Sequence, residues 1–574
     1  MSPVHAHPHD RRRFWLLMLI ALVIVGAGIG LRDPWPSDEP RFALAAKQMV
    51  EGGDWMFPHR GSELYADKPP VLMWAEAASF ELVRNWRIAF LLPSLLAALG
   101  TLALVYDLGR RLWSREAGLY GAAALLLAFQ FVYQTKRAQI DPLVMFLITA
   151  GNWGLLRHLL LGPHWRAYWL GCFCAGLGVI TKGVGFLPLL LLLPYAFARR
   201  RGWEGATTMG TGNALRWWLG PLAVLAAIAL WLVPMLLAAR AHADDPAYAA
   251  YVRDILFHQT ADRYARSWGH IHSPFYYVPI VLFSWLPLSL AYPGTLPRWW
   301  RALKAKDARV LLPLAWVGLV LLFFSIPSGK RDVYILPALP MVALASAPFL
   351  PELLQTRWLR TAGLAFIGLF GTLLFVVGAY ALLAHPPFAA HWAEQRGFDG
   401  GARALFGWLA AIGAAQLALA AWLRLPRAAW AVGGGMVALW LGWSFGIAPL
   451  LNDSSSAAGL MARARAQLGP GDRIGLVAWK EQNLLMLDRP ATDFGFTRPW
   501  TEQFAAAVAW QAQDPAHRWL FAQEPAMGNC VRRERALDLG HANRREWWMF
   551  KADAVIPGCT PDPAAEATDA EVGE

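Results

Sequence analysis

Residues 217–239 read WWLGPLAVLAAIALWLVPMLLAA, a stretch of 23 residues without a charged side chain that decides the class of fold. An apolar run of about 18 residues or more is long enough to cross the hydrocarbon core of a bilayer as a helix. This run and the other apolar runs of the chain predict an α-helical polytopic membrane protein with thirteen spans. They lie near residues 14–31, 86–107, 117–133, 143–161, 167–181, 183–198, 217–239, 274–293, 309–327, 333–350, 361–384, 404–423 and 428–450.

The composition agrees with a membrane protein and excludes other classes. The 574 residues are 56% hydrophobic and 16% charged, whereas soluble proteins carry about 25% charged residues. So few charges would not cover the surfaces of soluble domains of this total length, and 31 Trp with 29 Phe exclude a disordered chain. The net charge of +12 does not indicate a nucleic-acid partner, because polytopic proteins concentrate Lys and Arg on the cytoplasmic side.

The basic residues between the predicted spans indicate an orientation. Arg11, Arg12 and Arg13 precede the first run, which lacks a small-residue cleavage site and is interpreted as an uncleaved helix with a cytoplasmic amino terminus. Every second loop after it is rich in Arg or Lys, as the positive-inside rule requires. The intervening loops mix bases with acids, which predicts a functional site on the outer face. An odd number of spans places residues 451–574 outside as well.

The segment 451–574 is predicted to be a small α/β domain on the outer face. Asp453–Ser456 are interpreted as a linker, residues 473–479 and 518–522 as strands, and residues 504–513 as a helix. Residues 561–574 are acidic and rich in Ala and are predicted to be disordered.

Two of the four cysteines are predicted to form a disulfide. Cys172 and Cys174 lie inside an apolar run and are interpreted as packing residues. Cys530 and Cys559 follow the last span, where an oxidising compartment outside the cytoplasm would allow them to pair.

The first outside loop, residues 32–85, contains the densest polar motifs. It carries DEPRFA at 38–43 and DKPP at 67–70. A short amphipathic helix is predicted around residues 43–51, lying on the membrane surface. Asp38 is then either the N-cap of that helix or a reactive carboxylate.

Further charges lie in the short outside loops. Asp141 and Lys182 adjoin spans, where an unpaired charge costs several kcal/mol, so each is expected to have a partner or a water-filled cavity. Residues 257–264 and 328–334 add more cations to the same face. Together these loops predict a basic cradle for a phosphate at the membrane surface, with carboxylates beside it.

The ordered series of motifs resembles the bacterial aminoarabinose transferases and the protein mannosyltransferase-like families. Both are integral-membrane glycosyltransferases of the GT-C class that use polyprenyl-phosphate sugars. The resemblance covers most of residues 14–350, and beyond 350 it is only topological. Its motifs are Asp38–Ala43, Gly53–Trp55, Lys68–Trp74, Arg137–Asp141, Thr181–Gly183, His258, His272–Pro279, Trp285–Pro287 and Ser328–Pro337.

The resemblance implies a GT-C fold and an inverting transfer from a polyprenyl-phosphate sugar to a lipid A, glycan or protein acceptor, at the periplasmic face of a bacterial inner membrane. Membrane lipids are the other expected partners. The implied catalytic residues are Asp38, Asp141 and Glu39, and the implied donor-phosphate residues are Lys68, Arg263, Arg41, Lys330 and Tyr334. A divalent metal, zinc, is expected between Asp67 and His258.

The residues leave several alternatives open. Asp38 takes a proton if the acceptor is a hydroxyl group, whereas an acceptor phosphate is already ionised and needs no base. A protein O-mannosyltransferase would share the chemistry and differ in its acceptor. A polytopic lipid or solute transporter is the alternative from another class, although transporters concentrate their charges near the bilayer midplane. This chain departs from the family pattern at two positions. It has Asp67 where the family often has Glu, and Phe42 where the family has Tyr.

Overall fold

The computed structural model describes residues 8–210, 212–257, 271–396, 402–564 and 566. Within these residues, eight helices are long and apolar enough to cross a membrane, and the number is ten if each of two bent pairs counts as one span. The eight are Trp86–Leu112, Ile140–Leu161, Gly183–Arg200, Ala214–Ala241, Ala308–Ser325, Arg357–Ala384, Arg403–Leu423 and Leu425–Ser456. The bent pairs are Arg115–Leu127 with Phe129–Thr135, and Tyr277–Ser284 with Leu288–Lys304.

The other three predicted spans are also helical but do not meet the same criteria of length and charge. They are Pro8–Gly26, which includes the Arg11–Arg13 cluster, Trp165–Val179 with 15 residues, and the apolar segment Asp332–Ser346. Each of the thirteen predicted runs therefore coincides with helical structure, while eight to ten qualify as spans by length and composition among the described residues.

The two bends lie against each other, and polar groups of one bend are hydrogen-bonded to polar groups of the other. The second pair bends by 95° at Trp285–Pro287, where Pro287 cannot donate a backbone hydrogen bond. Across the contact, Phe129 N–H donates to Leu286 O at 2.8 Å, and Trp285 Nε1 donates to Gln130 Oε1 at 2.7 Å. Backbone groups released by a break need partners in an apolar environment, and the contact between Phe129 and Leu286 pairs one such group from each break.

The first outside loop folds into two helices and a small hairpin. The helices are Glu39–Gly52 and Val71–Val83, and the antiparallel strands between them are β1 (His59–Arg60) and β2 (Glu63–Leu64). The predicted amphipathic helix is confirmed. Its apolar residues are buried against protein on two sides: Ala43 and Leu44 in a cluster with the C-terminal domain, and Phe42, Ala45, Ala46 and Met49 in the core of the membrane part.

The C-terminal segment forms the predicted α/β domain around a mixed sheet. Within the described residues the sheet has five strands in the order β4-β3-β5-β7-β6, with β3 parallel to β4 and β5 and the remaining pairs antiparallel. The strands are β3 (Arg473–Val477), β4 (Ala491–Asp493), β5 (Arg518–Gln523), β6 (Ala536–Ala542) and β7 (Arg545–Phe550). Shorter helices outside the spans, among the described residues, include Pro246–Arg253, Leu350–Leu353, Pro387–Gln395, Ala458–Ala466, Glu481–Leu485, Trp500–Ala512 and Glu524–Met527.

The boundaries of this domain differ from the prediction. The expected linker Asp453–Ser456 is the last turn of the Leu425–Ser456 helix, so the polypeptide enters the domain without a loop. At the other end Pro561 is buried and Glu566 accepts a hydrogen bond from Trp500 N at 3.1 Å, so ordered contacts extend beyond the expected start of the tail. Residues 565 and 567–574 of the predicted disordered tail lie outside the described residues.

The predicted disulfide between Cys530 and Cys559 is confirmed, with 5.3 Å between their Cα atoms. Cys172 is buried in the membrane part, in agreement with its interpretation as a packing residue.

Candidate active site

Asp38 lies at the amino-terminal end of the Glu39–Gly52 helix. Asp38 occupies the N-cap position, as the first alternative expects, but its side chain makes no capping hydrogen bond within the described structure and stays available for other contacts. Instead Oδ2 accepts a hydrogen bond from Gln139 Nε2 at 3.2 Å. Guanidinium nitrogens of Arg41 and Arg331 each lie 4.0 Å from its oxygens. The side chain keeps 22% of its exposure, so a ligand can reach the carboxylate.

Glu39, its neighbour, is a buried structural anion. Its side chain is 1% exposed and forms a two-pronged ion pair with Arg32, with N–O distances of 2.6 and 2.7 Å. Backbone N–H groups of Trp35 and Ala138 also donate to it, each at 2.8 Å. Burial alone would raise the pKa of Glu39, but the charge and hydrogen bonds of Arg32 hold the pKa below its ordinary value. This geometry supports a positioning role in place of the predicted catalytic role.

Arg41 lies between the predicted catalytic carboxylate and the C-terminal domain. Its Nε donates to Oε1 of Glu481 at 3.0 Å, while its NH1 is 4.0 Å from Asp38. Burial alone would lower the pKa of Arg41, but the Glu481 carboxylate raises it above the ordinary value. The phenol of Tyr65 is buried next to this guanidinium, and burial raises the pKa of Tyr65 as well. The cluster therefore presents a fixed positive charge beside Asp38.

The Lys-Pro-Pro turn forms the next part of the site. Lys68 donates from Nζ to the carbonyl oxygen of Asp67 at 2.8 Å, and it precedes the Val71–Val83 helix, which Pro70 caps at its amino end. The Asp67 carboxylate is 44% exposed and lies 4.0 Å from the Arg60 guanidinium. Arg60 in turn lies 3.7 Å from Glu481. The two loop arginines, Arg41 and Arg60, are thus joined through one carboxylate of the C-terminal domain.

The second predicted carboxylate, Asp141, is paired as expected. Its Oδ1 accepts a hydrogen bond from Lys182 Nζ, and both side chains are only partly exposed. The same ammonium group lies 4.9 Å from the centroid of the Tyr334 ring, in cation–π geometry. Asp141 follows Gln139, the residue that donates to Asp38, so this pair adjoins the Asp38 cluster.

The structure places Arg331, and not the predicted Lys330, beside Asp38. Lys330 is 2% exposed, and its ammonium group donates to the backbone carbonyls of His272 and Pro327. It therefore holds two loops together, and its burial and its two carbonyl partners argue against the predicted contact with the donor phosphate. Its neighbour Arg331 provides the cation that approaches Asp38.

Two of the predicted site residues, Arg263 and His258, lie outside the described residues. Of the expected zinc ligands only Asp67 is described, and the Arg60 guanidinium lies 4.0 Å from its carboxylate. Within the described ranges no group of three His, Cys, Asp or Glu side chains is arranged to hold a metal ion. Because His258 lies outside those ranges, the zinc site between Asp67 and His258 stays a prediction.

Comparison with known proteins identifies the family. The model of the family described as dolichyl-phosphate-mannose-protein mannosyltransferase matches residues 67–233. An undecaprenyl phosphate-alpha-4-amino-4-deoxy-L-arabinose arabinosyl transferase of Pseudomonas aeruginosa (strain UCBPP-PA14) is 31% identical over 439 residues, covering 74% of this chain and 73% of that protein. The chain belongs to this arabinosyl transferase family.

Other relatives agree with this assignment. The transferase of the same name from Edwardsiella ictaluri is 31% identical over 371 residues, and the match spans 62% of this chain and 64% of that relative's length, which is less than two thirds. The crystal structure of ArnT from Cupriavidus metallidurans bound to undecaprenyl phosphate has a TM-score of 0.73, covering 95% of this chain and 99% of that chain. At 20% identity, this likeness establishes the fold.

The membership of this family and the structural likeness together confirm three predictions. The resemblance to aminoarabinose transferases, the GT-C fold with its C-terminal α/β domain, and the class of enzyme, a membrane glycosyltransferase, all agree with the comparisons. The protein is a multi-pass protein of the inner membrane. The transporter alternative is excluded by the family.

Sequence reasoning missed several members of the cluster. They are Arg60, Tyr65, Gln139, Arg331 and Glu481. Arg331 and Gln139 stand in the loops that the sequence singled out, so their proximity to the site could have been inferred. Glu481 lies more than 400 residues from Arg41 along the chain, and only the docking of the two parts brings the pair together.

Proposed function

We propose that this transferase moves 4-amino-4-deoxy-L-arabinose from a polyprenyl-phosphate carrier to lipid A at the periplasmic face of the inner membrane. The names of the relatives support the sugar and the carrier. In this proposal the amino terminus is cytoplasmic and the C-terminal domain periplasmic, because alternate loops are basic. The observation that carries the proposal is the accessible Asp38 carboxylate flanked by the cations of Arg41 and Arg331.

The cations fit the leaving group of this reaction. Transfer breaks the bond between the anomeric carbon and a phosphate oxygen, so negative charge develops on the carrier phosphate. Lys68, Arg41 and Arg331 are the nearby cations assigned to neutralise this charge. Preorganised donors of this kind contribute about 3 kcal/mol each to transition-state stabilisation in a water-poor site.

The carboxylates fit the other half of the reaction. An acceptor phosphate of lipid A is ionised at neutral pH and attacks without a base, so Asp38 stabilises the positive charge that develops on the sugar ring. Asp141, held by Lys182, orients the sugar or the acceptor. A single displacement at the anomeric carbon inverts its configuration. With a hydroxyl acceptor, Asp38 would instead remove the proton.

A protein acceptor is the second candidate function. It is favoured by the match of residues 67–233 to the family described as protein mannosyltransferases. The chemistry assigned to Asp38 and Lys68 would be the same, with the hydroxyl group of a Ser or Thr as the attacking group. Analysis of envelope proteins beside lipid A separates the two candidates.

The zinc ion between Asp67 and His258 remains a prediction. Elemental analysis of the purified protein, before and after dialysis against a chelator, tests it directly. One equivalent of zinc that is lost in an Asp67→Ala variant would support the site, whereas equal zinc content in both proteins would refute it.

Mass spectrometry of lipid A and envelope proteins from cells with and without the gene tests the function. We expect aminoarabinose on lipid A only when the gene is present, and none with Asp38→Asn or Lys68→Ala. Glu51→Gln is a matched control in the same loop. Glu51 is exposed, so this variant should retain transfer. Unmodified lipid A with the wild-type gene, or full modification with Asp38→Asn, would refute the proposal.

A further inference from the structure

The C-terminal domain docks directly on the loop that carries the site. Ser62 donates from N and Oγ to the Asp493 carboxylate at 3.0 and 2.7 Å, and the Glu63 carboxylate accepts from the backbone and hydroxyl of Thr497. Ala43 and Leu44 are buried in the same apolar cluster as Ile474, Leu476 and other residues of the domain. The domain is therefore part of the wall of the site.

One contact of this interface differs from the rest because it ends on a cation of the site. Glu481 is 8% exposed at its side chain, and its Oε1 lies 3.0 Å from Arg41 Nε and 3.7 Å from Arg60 NH1. The Arg60 guanidinium is stacked over Phe496 of the same domain, 3.9 Å from the ring centroid. Glu481 and Phe496 thus fix two arginines of the first outside loop from the opposite side of the interface.

The position of Arg41 depends on two competing carboxylates. Its Nε is hydrogen-bonded to Glu481, whereas its NH1 remains at 4.0 Å from Asp38, beyond hydrogen-bond distance. Charge-assisted hydrogen bonds from a guanidinium group to a carboxylate are strong and directional. If Glu481 lost its charge, Asp38 would be the stronger of the two anions for Arg41, and the guanidinium would close onto it.

We propose that Glu481 is a positioning residue of the transfer reaction, through which the C-terminal domain holds Arg41 off Asp38 and toward the donor phosphate. Closure of Arg41 onto Asp38 would occupy the carboxylate and withdraw a cation from the phosphate at the same time. The domain therefore contributes to catalysis by electrostatic positioning, in addition to any role in selecting the acceptor. This inference rests on the proposed function of the site.

The test is a double-mutant cycle on the full-length protein in nanodiscs, with an undecaprenyl-phosphate aminoarabinose donor and lipid A. Glu481→Gln should lower kcat about tenfold in the wild-type background and change it less than twofold in an Arg41→Gln background. Asp493→Asn is the matched control: it removes an acidic contact of the same interface that ends on Ser62, and it should leave kcat within twofold. An equal loss from Glu481→Gln in both backgrounds would overturn the proposal, since Glu481 would then act through general stability.

A binding measurement separates this inference from the proposed function. The affinity for undecaprenyl phosphate alone, measured by the quenching of tryptophan fluorescence, should fall at least threefold in Glu481→Gln and in Arg41→Gln. The double variant should bind no more weakly than Arg41→Gln. If the wild-type protein transfers no aminoarabinose but the binding cycle shows this coupling, the sugar assignment fails and the positioning role stands. Unchanged binding in Glu481→Gln, together with unchanged kcat, would refute the positioning role.

Discussion

The neighbouring carboxylates Asp38 and Glu39 should respond in opposite ways to neutralisation. Glu39 is 1% exposed and pairs with Arg32, whose side chain is itself 9% exposed. Glu39→Gln would leave the Arg32 guanidinium buried without a counter-charge. Asp38 is 22% exposed, and its two cationic neighbours lie at 4.0 Å. Asp38→Asn therefore removes only weak, solvent-screened interactions from the folded state.

These differences set the expected magnitudes. Breaking a buried ion pair by neutralising one partner costs about 3–5 kcal/mol, so Glu39→Gln should lower the midpoint of thermal unfolding by roughly 5 °C or more. Asp38→Asn should change stability by less than about 1 kcal/mol. If Asp38 supplies about 3 kcal/mol of transition-state stabilisation, its loss lowers the transfer rate by about a hundredfold.

The pH dependence of unfolding gives an independent check on Glu39. Since the pKa of Glu39 lies below its ordinary value of 4.5 in the folded protein, its stabilising contribution is present above pH 4.5. That contribution is lost as the pH falls through the folded-state pKa. When the pH is lowered from 6 to below 4.5, the free energy of unfolding of the wild-type protein should thus fall more than that of Glu39→Gln.

Tryptophan fluorescence during thermal unfolding, with the transfer rate of the same samples, is the assay. We expect a destabilised Glu39→Gln and a stable Asp38→Asn whose transfer rate is about a hundredfold lower than that of the wild-type protein. A stable, inactive Glu39→Gln would return Glu39 to the catalytic role first predicted for it and refute this reasoning.

Three further predictions concern the surrounding structure. Glu76 is fully buried, and burial raises its pKa well above the ordinary value. Folding therefore takes up a proton at Glu76, and the stability of the protein falls as the pH rises through that pKa. Glu76→Gln should raise the unfolding midpoint at pH 7 and reduce this pH dependence. Arg331→Ala should lower the transfer rate by about tenfold to a hundredfold with little change in stability. Lys330→Ala should instead lower the unfolding midpoint. The reverse pattern would refute the assignment of the two cations. The Cys530–Cys559 disulfide closes a loop with a sequence separation of 29, so replacing both cysteines with Ser should destabilise the C-terminal domain by about 3–4 kcal/mol in denaturant unfolding, and no change would contradict the loop-entropy argument.

The sequence predicts the membrane part well because spanning helices follow from local composition. Each predicted run coincides with helical structure, and the separation of residues 167–181 from 183–198 is confirmed by helices Trp165–Val179 and Gly183–Arg200. The bends at Ala128 and Trp285–Pro287 are not evident from apolar runs, because the runs continue through both breaks and the hydrogen bond from Phe129 to Leu286 that joins the breaks links distant segments.

The candidate site is only partly predictable for a related reason. Motif positions single out Asp38, Arg41 and Asp141, and the structure brings Arg41 to 4.0 Å from Asp38 and pairs Asp141 with Lys182. Local sequence does not distinguish the buried Glu39 from the accessible Asp38, since both stand at the start of one helix. Likewise the linker at Asp453–Ser456 has a loop-like composition, but it continues a long helix that leads directly into the domain.

The most direct test of the central claim is transfer by the purified protein in liposomes that contain an undecaprenyl-phosphate aminoarabinose donor and lipid A. The account predicts an aminoarabinose-modified lipid A of inverted anomeric configuration with the wild-type protein, and none with Asp38→Asn. Retained configuration, or equal product from both proteins, would contradict the account.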